Sequence, residues 1–270
     1  MKKKLLIILI FPLILSSCSN GNKRHEIKYF NEVPYSEYYV ALGNAEKTYR
    51  NIVSNCHLTD LIIESESEII TTEKQTLSNS RVIEEKVVVK SVAKIEYDQD
   101  IKSVYSQGET LTNTVSKTNN IESIVKENIV YQRDGNNVYL IDLNENSYQE
   151  TINTTNIIDT TIRTIFDASL VLFQNVKGTK PKYYLDDSII TFIMEEENIM
   201  DNKITSKKKV VSQIDIKDEY VALLLDSFVV EYKYEDDMVL ETSLETYSYS
   251  RLDLKKVEIP TYNIENFYQK

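Results

Sequence analysis

Glycine, proline, histidine and cysteine are scarce in this sequence, and tryptophan is absent. The 270 residues include five Gly, four Pro, two His and two Cys. Scarce glycine counts against phosphate-binding loops and strained nucleophile turns, because these need backbone angles that other residues rarely adopt. With only His25 and His57 present, the Ser-His, Cys-His and zinc-protease motifs are also missing. We therefore expect a protein without enzymatic activity, cofactor or metal site.

The charge balance is acidic, with 42 Asp and Glu against 31 Lys and Arg. An acidic surface is a poor match for nucleic acid, whose phosphates favour Lys and Arg clusters, and for anionic lipid headgroups. The acidic runs 195–197 and 235–237 lack the alternating spacing and central glycine of a calcium loop, which favours solvated turns or strand ends. We expect no nucleic-acid partner.

The N-terminus carries an export signal. Residues 2–4 are lysines and residues 5–15 are apolar except for one proline. Eleven helical residues cover about 16 Å, too little for a membrane core about 30 Å thick, so this segment is expected to be cleaved. Residues 15–18, Leu-Ser-Ser-Cys, match the lipobox of bacterial lipoproteins, which predicts a signal peptide over 1–17 and a lipid on Cys18. The alternative is an ordinary secretory signal before an unmodified cysteine.

A lipid on Cys18 would place the protein at the extracytoplasmic face of the cell membrane. Two or three acyl chains on one cysteine hold a protein there more lastingly than a single chain. Residues 18–28 are polar and aperiodic, which predicts a flexible, lipidated tether. We expect a single domain over 29–260 and a frayed tail over 261–270.

Apolar residues recur at helical spacing over 38–56 and predict a first amphipathic helix. Cys56 lies at its end, beside His57. Adjacent residues of a helix point about 100° apart, so a reactive Cys-His pair is less favoured than a partly buried structural thiol.

Most of the remaining chain alternates between apolar and polar residues with a period of two. This pattern predicts long antiparallel strands with one solvated face, since parallel strands buried on both faces would give unbroken apolar runs. Residues 134–137, Asp-Gly-Asn-Asn, predict a tight hairpin, and residues 235–237 predict another turn. The predicted strands are 61–71, 86–97, 101–115, 121–133, 138–141, 183–196, 207–216, 228–234 and 238–254.

A second and more apolar helix is predicted over 156–175. Its stripe consists of Ile158, Ile162, Ile165, Phe166, Ser169, Leu172 and Phe173. We therefore predict an α+β fold, in which one long twisted antiparallel sheet carries two main helices on one face. Two halves of about 110 residues, each a helix followed by strands, could also form two domains, but no Gly-, Pro- or Ser-rich linker divides them.

This order of elements, behind a lipobox and ending in Glu-Ile-Pro at 258–260, resembles the LolA/LppX type of lipid-carrying envelope proteins. The resemblance covers most of residues 38–260. It implies a half-barrel whose concave side is covered by helices, with an apolar hollow that holds acyl chains. In this chain the residues bordering a lipid-like ligand would be Ile158, Ile162, Ile165 and Phe166.

There are two alternatives to the interpretation of this protein as a carrier of a hydrophobic ligand. Plain core is an equally good interpretation of the stripe, because a half-covered sheet needs a helix whether or not it holds a ligand. The protein would then be a cell-envelope interaction or scaffold lipoprotein with no small ligand, binding an envelope protein through exposed strand edges and Tyr-rich faces. An importer receptor fits less well, because such receptors alternate strands with helices.

Overall fold

The computed structural model describes residues 24–77, 82–99, 102–116, 119–135, 137–151, 157–162, 164, 166, 181–235 and 238–270. Over these residues the chain contains thirteen strands and two α-helices. The helices are α1 (Tyr35–Asn55) and α2 (Ile157–Ile162). The strands are β1 (Asn31–Val33), β2 (Leu61–Leu77), β3 (Val82–Asp98), β4 (Ser103–Val115), β5 (Asn120–Asp134), β6 (Asn137–Asp142), β7 (Ser147–Thr151), β8 (Lys182–Asp186), β9 (Ile189–Met200), β10 (Lys203–Lys217), β11 (Tyr220–Glu235), β12 (Met238–Asp253) and β13 (Tyr268–Gln269).

All thirteen strands belong to one sheet, in the order β1-β8-β9-β10-β11-β12-β2-β3-β4-β5-β6-β7-β13. Every described pair is antiparallel except β13 with β7. The pairing of β12 with β2 joins the two halves of the chain into a continuous sheet. The predicted long antiparallel sheet is therefore confirmed. The described helical content is small: of the helix predicted over 156–175, the described residues show α2, Ile157–Ile162, and most of 163–175 lies outside the described residues.

One face of the sheet, which we call the helix face, packs against α1. The buried residues of α1 follow the helical period and form one stripe: Tyr38, Leu42, Ala45, Tyr49 and Ile52. They contact buried side chains at one end of the long strands, among them Ile63, Ile95, Phe192, Ile214 and Leu252. The largest cluster of the described core therefore lies at this end of the sheet.

The C-terminal segment covers part of the opposite face, which we call the terminal face. Val257 and Ile259 are buried there against Ile62, Val130 and Ile141. Further along, β13 pairs with β7. The expectation of a frayed tail over 261–270 was wrong, because this segment is held by strand pairing and by apolar contacts of its own side chains, Tyr262, Ile264 and Phe267.

Residues 24–28 lie on the other half of the terminal face. The Arg24 guanidinium is 2.6 Å from the Glu68 carboxylate. The His25 N–H donates to the Tyr247 hydroxyl at 2.8 Å. The Lys28 carbonyl accepts from the Gln213 amide at 2.9 Å. A flexible tether over 24–28 was therefore a wrong prediction, since these residues make specific bonds to the sheet; residues 18–23 lie outside the described residues.

Acid is expected to loosen this N-terminal segment. Partial burial alone would raise the pKa of Glu68, but hydrogen bonds and charges from Lys90 and Arg24 outweigh it and hold this pKa below its usual range. A carboxylate with a lowered folded pKa stabilises the fold above its unfolded pKa, and that contribution is lost as the pH falls through the folded value. We expect hydrogen exchange of the His25 amide, corrected for intrinsic rate, to accelerate up to about fivefold as the pH falls through the folded pKa of Glu68.

The Glu68→Gln variant should show this faster exchange already at pH 6 and little further change in acid. Glu258→Gln is the matched control, because Glu258 is well exposed and its carboxylate is 3.6 Å from Lys256, far from the segment. Acid-independent exchange in the wild type would show that the Glu68 ion pairs do not hold the segment.

Candidate functional site

The apolar stripe predicted to border a ligand is partly described. Ile162 and Phe166 have no exposed surface and belong to the core cluster that also contains the buried stripe of α1. The ring centroids of Phe166 and Tyr49 are 6.3 Å apart. The side chains of Ile158 and Ile165 lie outside the described residues. Two of the four residues are thus core residues, and an apolar hollow beside them stays a prediction.

Of the Cys56–His57 pair considered in the sequence, the side chain of His57 lies outside the described residues. Cys56 is buried, and its thiol donates to the Val53 carbonyl at 2.9 Å. No three His, Cys, Asp or Glu side chains are grouped for a metal ion in the part of the chain that is described. None of its helices is both long and apolar enough to cross a membrane. Cys18 lies outside the described residues, so its lipidation stays a prediction.

The long strands extend far beyond the core. In β2 only Leu61, Ile62 and Ile63 are buried, and residues 64–77 are half-buried or exposed on both faces. In β5 residues 120–126 are all exposed. We call this region, which comprises the ends of β2–β5 and β9–β12 away from α1, the distal sheet. Most of its described side chains are half-buried or exposed on both faces, with Val230 and Ser243 among the buried exceptions, so it is mainly a surface rather than a core.

Cross-strand ion pairs cover the terminal face of the distal sheet. Opposite charges on neighbouring strands stabilise a sheet modestly, and exposed pairs contribute about 0 to 1 kcal/mol each. The predicted acidic run 195–197 takes part in this pattern and lies in β9 rather than in a turn. The pairs are Glu195–Lys209, Glu197–Lys207, Glu68–Lys90 and Glu109–Lys126, at 2.7 to 3.0 Å.

The first half of β5 forms an open edge of the distal sheet. Among the described residues β5 pairs with β6 only from Ile129 to Asp134, so the residues before Ile129 have a described strand neighbour, β4, on one side only. Here Ile121, Ile124 and Val125 are 58%, 51% and 50% exposed. Edge strands are usually protected from pairing with other strands by charged residues, proline or bulges, because their unpaired backbone groups can otherwise bind such strands. Residues 120–125 contain one charged side chain, Glu122, and no proline.

The opposite edge of the distal sheet is better protected. In the part of the chain that the structure describes, β9 pairs with β8 only from Ile189 to Ile193, which leaves residues 194–200 at an edge. Ile199 and Met200 are exposed there. Three consecutive glutamates, 195–197, precede them and disfavour the approach of another acidic strand. The β5 edge is therefore the stronger candidate for binding.

A cavity of about 180 Å³ lies between the N-terminal segment and the terminal face. Lys28 lines it from the segment, and Gln213, Asp215, Tyr249 and Arg251 line it from the sheet, together with apolar side chains. The His25 ring stacks on Tyr249 with centroids 3.7 Å apart and closes one side. The lining combines positively charged, negatively charged and apolar side chains, so it does not favour a single class of ligand.

Comparison with known proteins gives no match: no protein-family model matches the chain, and neither does any curated protein.

Proposed function

We propose that this chain is a non-enzymatic lipoprotein, anchored through Cys18 at the extracytoplasmic face of the cell membrane, that binds envelope proteins through its distal sheet. The lipobox at 15–18 supports the anchor. The observation that carries the binding function is the exposed apolar edge at residues 120–125 of β5. Contiguous exposed apolar residues at an open strand edge are typical of interaction sites.

The position of Arg24 supports a close approach to the membrane. Its ion pair with Glu68 fixes it to the terminal face, and six residue steps separate it from Cys18. An extended chain covers about 3.4 Å per residue, so the anchor reaches at most about 20 Å from the sheet. The terminal face is therefore the face that we expect to lie towards the membrane.

We also propose that the sheet curves as a half-barrel around two main helices. The support is the shared core cluster of α1, Ile162 and Phe166 on the helix face. Because both described residues of the predicted ligand stripe are fully buried in that cluster, the interaction function is better supported than the carriage of a hydrophobic ligand. Extraction with organic solvent and mass spectrometry tests carriage, since only a carrier should release acyl species beyond its own anchor.

The proposed function is tested in two arms, of which the first concerns the anchor. Cys18→Ala should leave an uncleaved precursor or release the protein from the membrane, because the acylated residue is lost. Intact mass and membrane fractionation measure this. Cys56→Ala is the matched control and should fractionate like the wild type, since Cys56 is a buried residue of the core. Unchanged mass and membrane retention of Cys18→Ala would contradict the anchor.

The second arm concerns the edge. In membranes, the thiol of Ile124→Cys should react with a polar maleimide about tenfold more slowly than in dilute detergent, because a bound protein covers it. Tyr268→Cys is the control, since Tyr268 is highly exposed and far from the distal sheet, at β13. Equal reaction rates of Ile124→Cys in both conditions would show that nothing covers the edge.

A further inference from the structure

We propose that the β5 edge binds a second copy of this chain, by antiparallel pairing of residues 121–125 with the same residues of that copy. The inference deepens the proposed function by naming the partner of the distal sheet. It rests on that function where the membrane anchor enters the argument.

The backbone of this edge is available for strand pairing. The carbonyls of Lys126 and Asn128 accept from Asn144 and Leu143, so they point to the open side of β5. Alternate residues of a strand direct their backbone groups to the same side, so Glu122 and Ile124 also present N–H and C=O there. Among the described residues no partner for these groups is seen. Pairing with a second copy would form four hydrogen bonds, two for each Glu122–Ile124 pair.

The side chains are self-complementary when the pairing is centred on Ser123. In this register Ile121 of each copy lies opposite Val125 of the other, on the helix face. Glu122 lies opposite Ile124 on the terminal face, and Ser123 faces its own counterpart. No like charges meet, and the apolar pairs bury surface that is exposed in one copy. The same operation on the β9 edge would bring its glutamate run against another, which disfavours that edge.

Symmetry also favours this pairing for an anchored protein. The two-fold axis that relates two antiparallel edge strands is perpendicular to the sheet, so both copies present the same face in the same direction. Residues 24–28 lie on the terminal face. Both N-terminal segments therefore leave the paired sheet on one side and can reach one membrane. A two-fold axis along the strands would give parallel pairing and turn the second anchor away.

The small size of this contact sets where the pair should form. Five residues from each edge bury much less than the ~1,200 Å² of a stable interface. Confinement of both copies to one membrane raises their effective concentration and offsets this weakness. The pair should therefore form in membranes and separate on dilution in detergent.

Disulfide trapping of the full chain in membranes tests the pairing. In the proposed register Ser123 faces Ser123 at a non-hydrogen-bonded position, where Cα atoms lie about 4.5 Å apart, within disulfide range. Ser123→Cys should therefore give a covalent dimer under mild oxidation. Thr112→Cys is the matched control, because Thr112 lies beside Ser123 on the same face, one strand inside the edge. We expect at least tenfold more dimer from Ser123→Cys than from Thr112→Cys.

A second substitution separates pairing from random collision. Ile124→Pro removes an N–H that points to the open side and so breaks no bond to β4. In the Ser123→Cys background it should lower the dimer yield at least tenfold while the circular dichroism spectrum is retained. A yield that Ile124→Pro leaves unchanged would overturn the proposal. So would a Ser123→Cys yield no higher than that of Thr112→Cys, or adducts formed only with other proteins.

The outcomes also separate this inference from the proposed function. If Cys18→Ala leaves membrane attachment unchanged, the anchor fails, but Ser123→Cys dimers that Ile124→Pro abolishes would still support the pairing. If Cys18→Ala releases the protein and Ser123→Cys gives no dimer in membranes, the anchor stands and the pairing is overturned.

Discussion

Deletion of residues 257–270 is expected to lower the free energy of unfolding by about 3 to 6 kcal/mol from the loss of two buried aliphatic side chains alone. Val257 and Ile259 pack on Ile62, Val130 and Ile141, and their removal exposes these residues to water. A loss of this size is a large part of the about 5 to 15 kcal/mol that stabilises a typical domain. Urea denaturation followed by circular dichroism should show a much lower midpoint or no folded baseline.

Hydrogen bonds add to this loss. The side chain of Gln132 is buried, and its amide donates to the Tyr262 carbonyl at 2.8 Å while its carbonyl accepts from the Tyr262 N–H at 2.6 Å. Without Tyr262 both hydrogen bonds are lost, each contributing about 0.5 to 1.5 kcal/mol net. Deletion of residues 268–270 only is the control and should shift the midpoint slightly, because Tyr268 and Gln269 are exposed. An unchanged midpoint for the longer deletion would mean that the segment is a tail after all.

Phe166→Ala is expected to lower the free energy of unfolding by about 3 to 5 kcal/mol, because truncation of a fully buried aromatic leaves a cavity in the core. Phe166 shares its cluster with Tyr49 and Ile162, so the space that it vacates is lined by side chains of α1 and of its own segment. Chemical denaturation measures the change. Thr164→Ala is the matched control, since Thr164 is exposed two residues away, and it should cost less than about 1 kcal/mol.

The same variant also discriminates between a core and a ligand hollow. If Phe166 bordered a lipid-like ligand, its removal would change the amount of acyl species extracted with the protein and would lower the free energy of unfolding only slightly. If Phe166 is a core residue, stability falls and the extract is unchanged. A loss of stability below about 1 kcal/mol would contradict the packing described for this residue.

Local features of the fold were predictable from the sequence. Strict alternation predicted the long antiparallel strands, and the Asp-Gly-Asn-Asn segment predicted the turn between β5 and β6, where Asp134 pairs with Asn137. Gly135 adopts a φ of 58° there, which glycine allows without strain. The apolar stripe of α1 was equally predictable from the sequence. The observed helix begins three residues before the predicted one. Each of these signals lies within a short stretch of chain.

The edges and the terminal segments were not predictable in the same way. Which strands lie side by side is a non-local property, so alternation in β5 did not show that its first half has only one neighbour. A local signal existed, since Ile121 and Val125 share one face while Ile124 lies on the other, and a strand with one buried face would not be apolar on both. The terminal segments lack periodicity, and single bonds such as those of Gln132 to Tyr262 hold them in place.

The central pairing of β2 with β12 has a consequence for the biogenesis of the protein. Ile62 pairs with Asp253, and Leu77 with Met238, so well over half of the 270 residues lie between the partners. Such non-local pairing makes folding slow, because a long loop must close, at a cost in conformational entropy, before the contacts between its ends can stabilise the fold. A chain that is secreted N-terminus first would expose the unpaired side of β2 until β12 emerges from the translocation channel. If the chain is exported as proposed, acquisition of the native sheet is expected to follow export rather than accompany it, with a chaperone requirement in the interval.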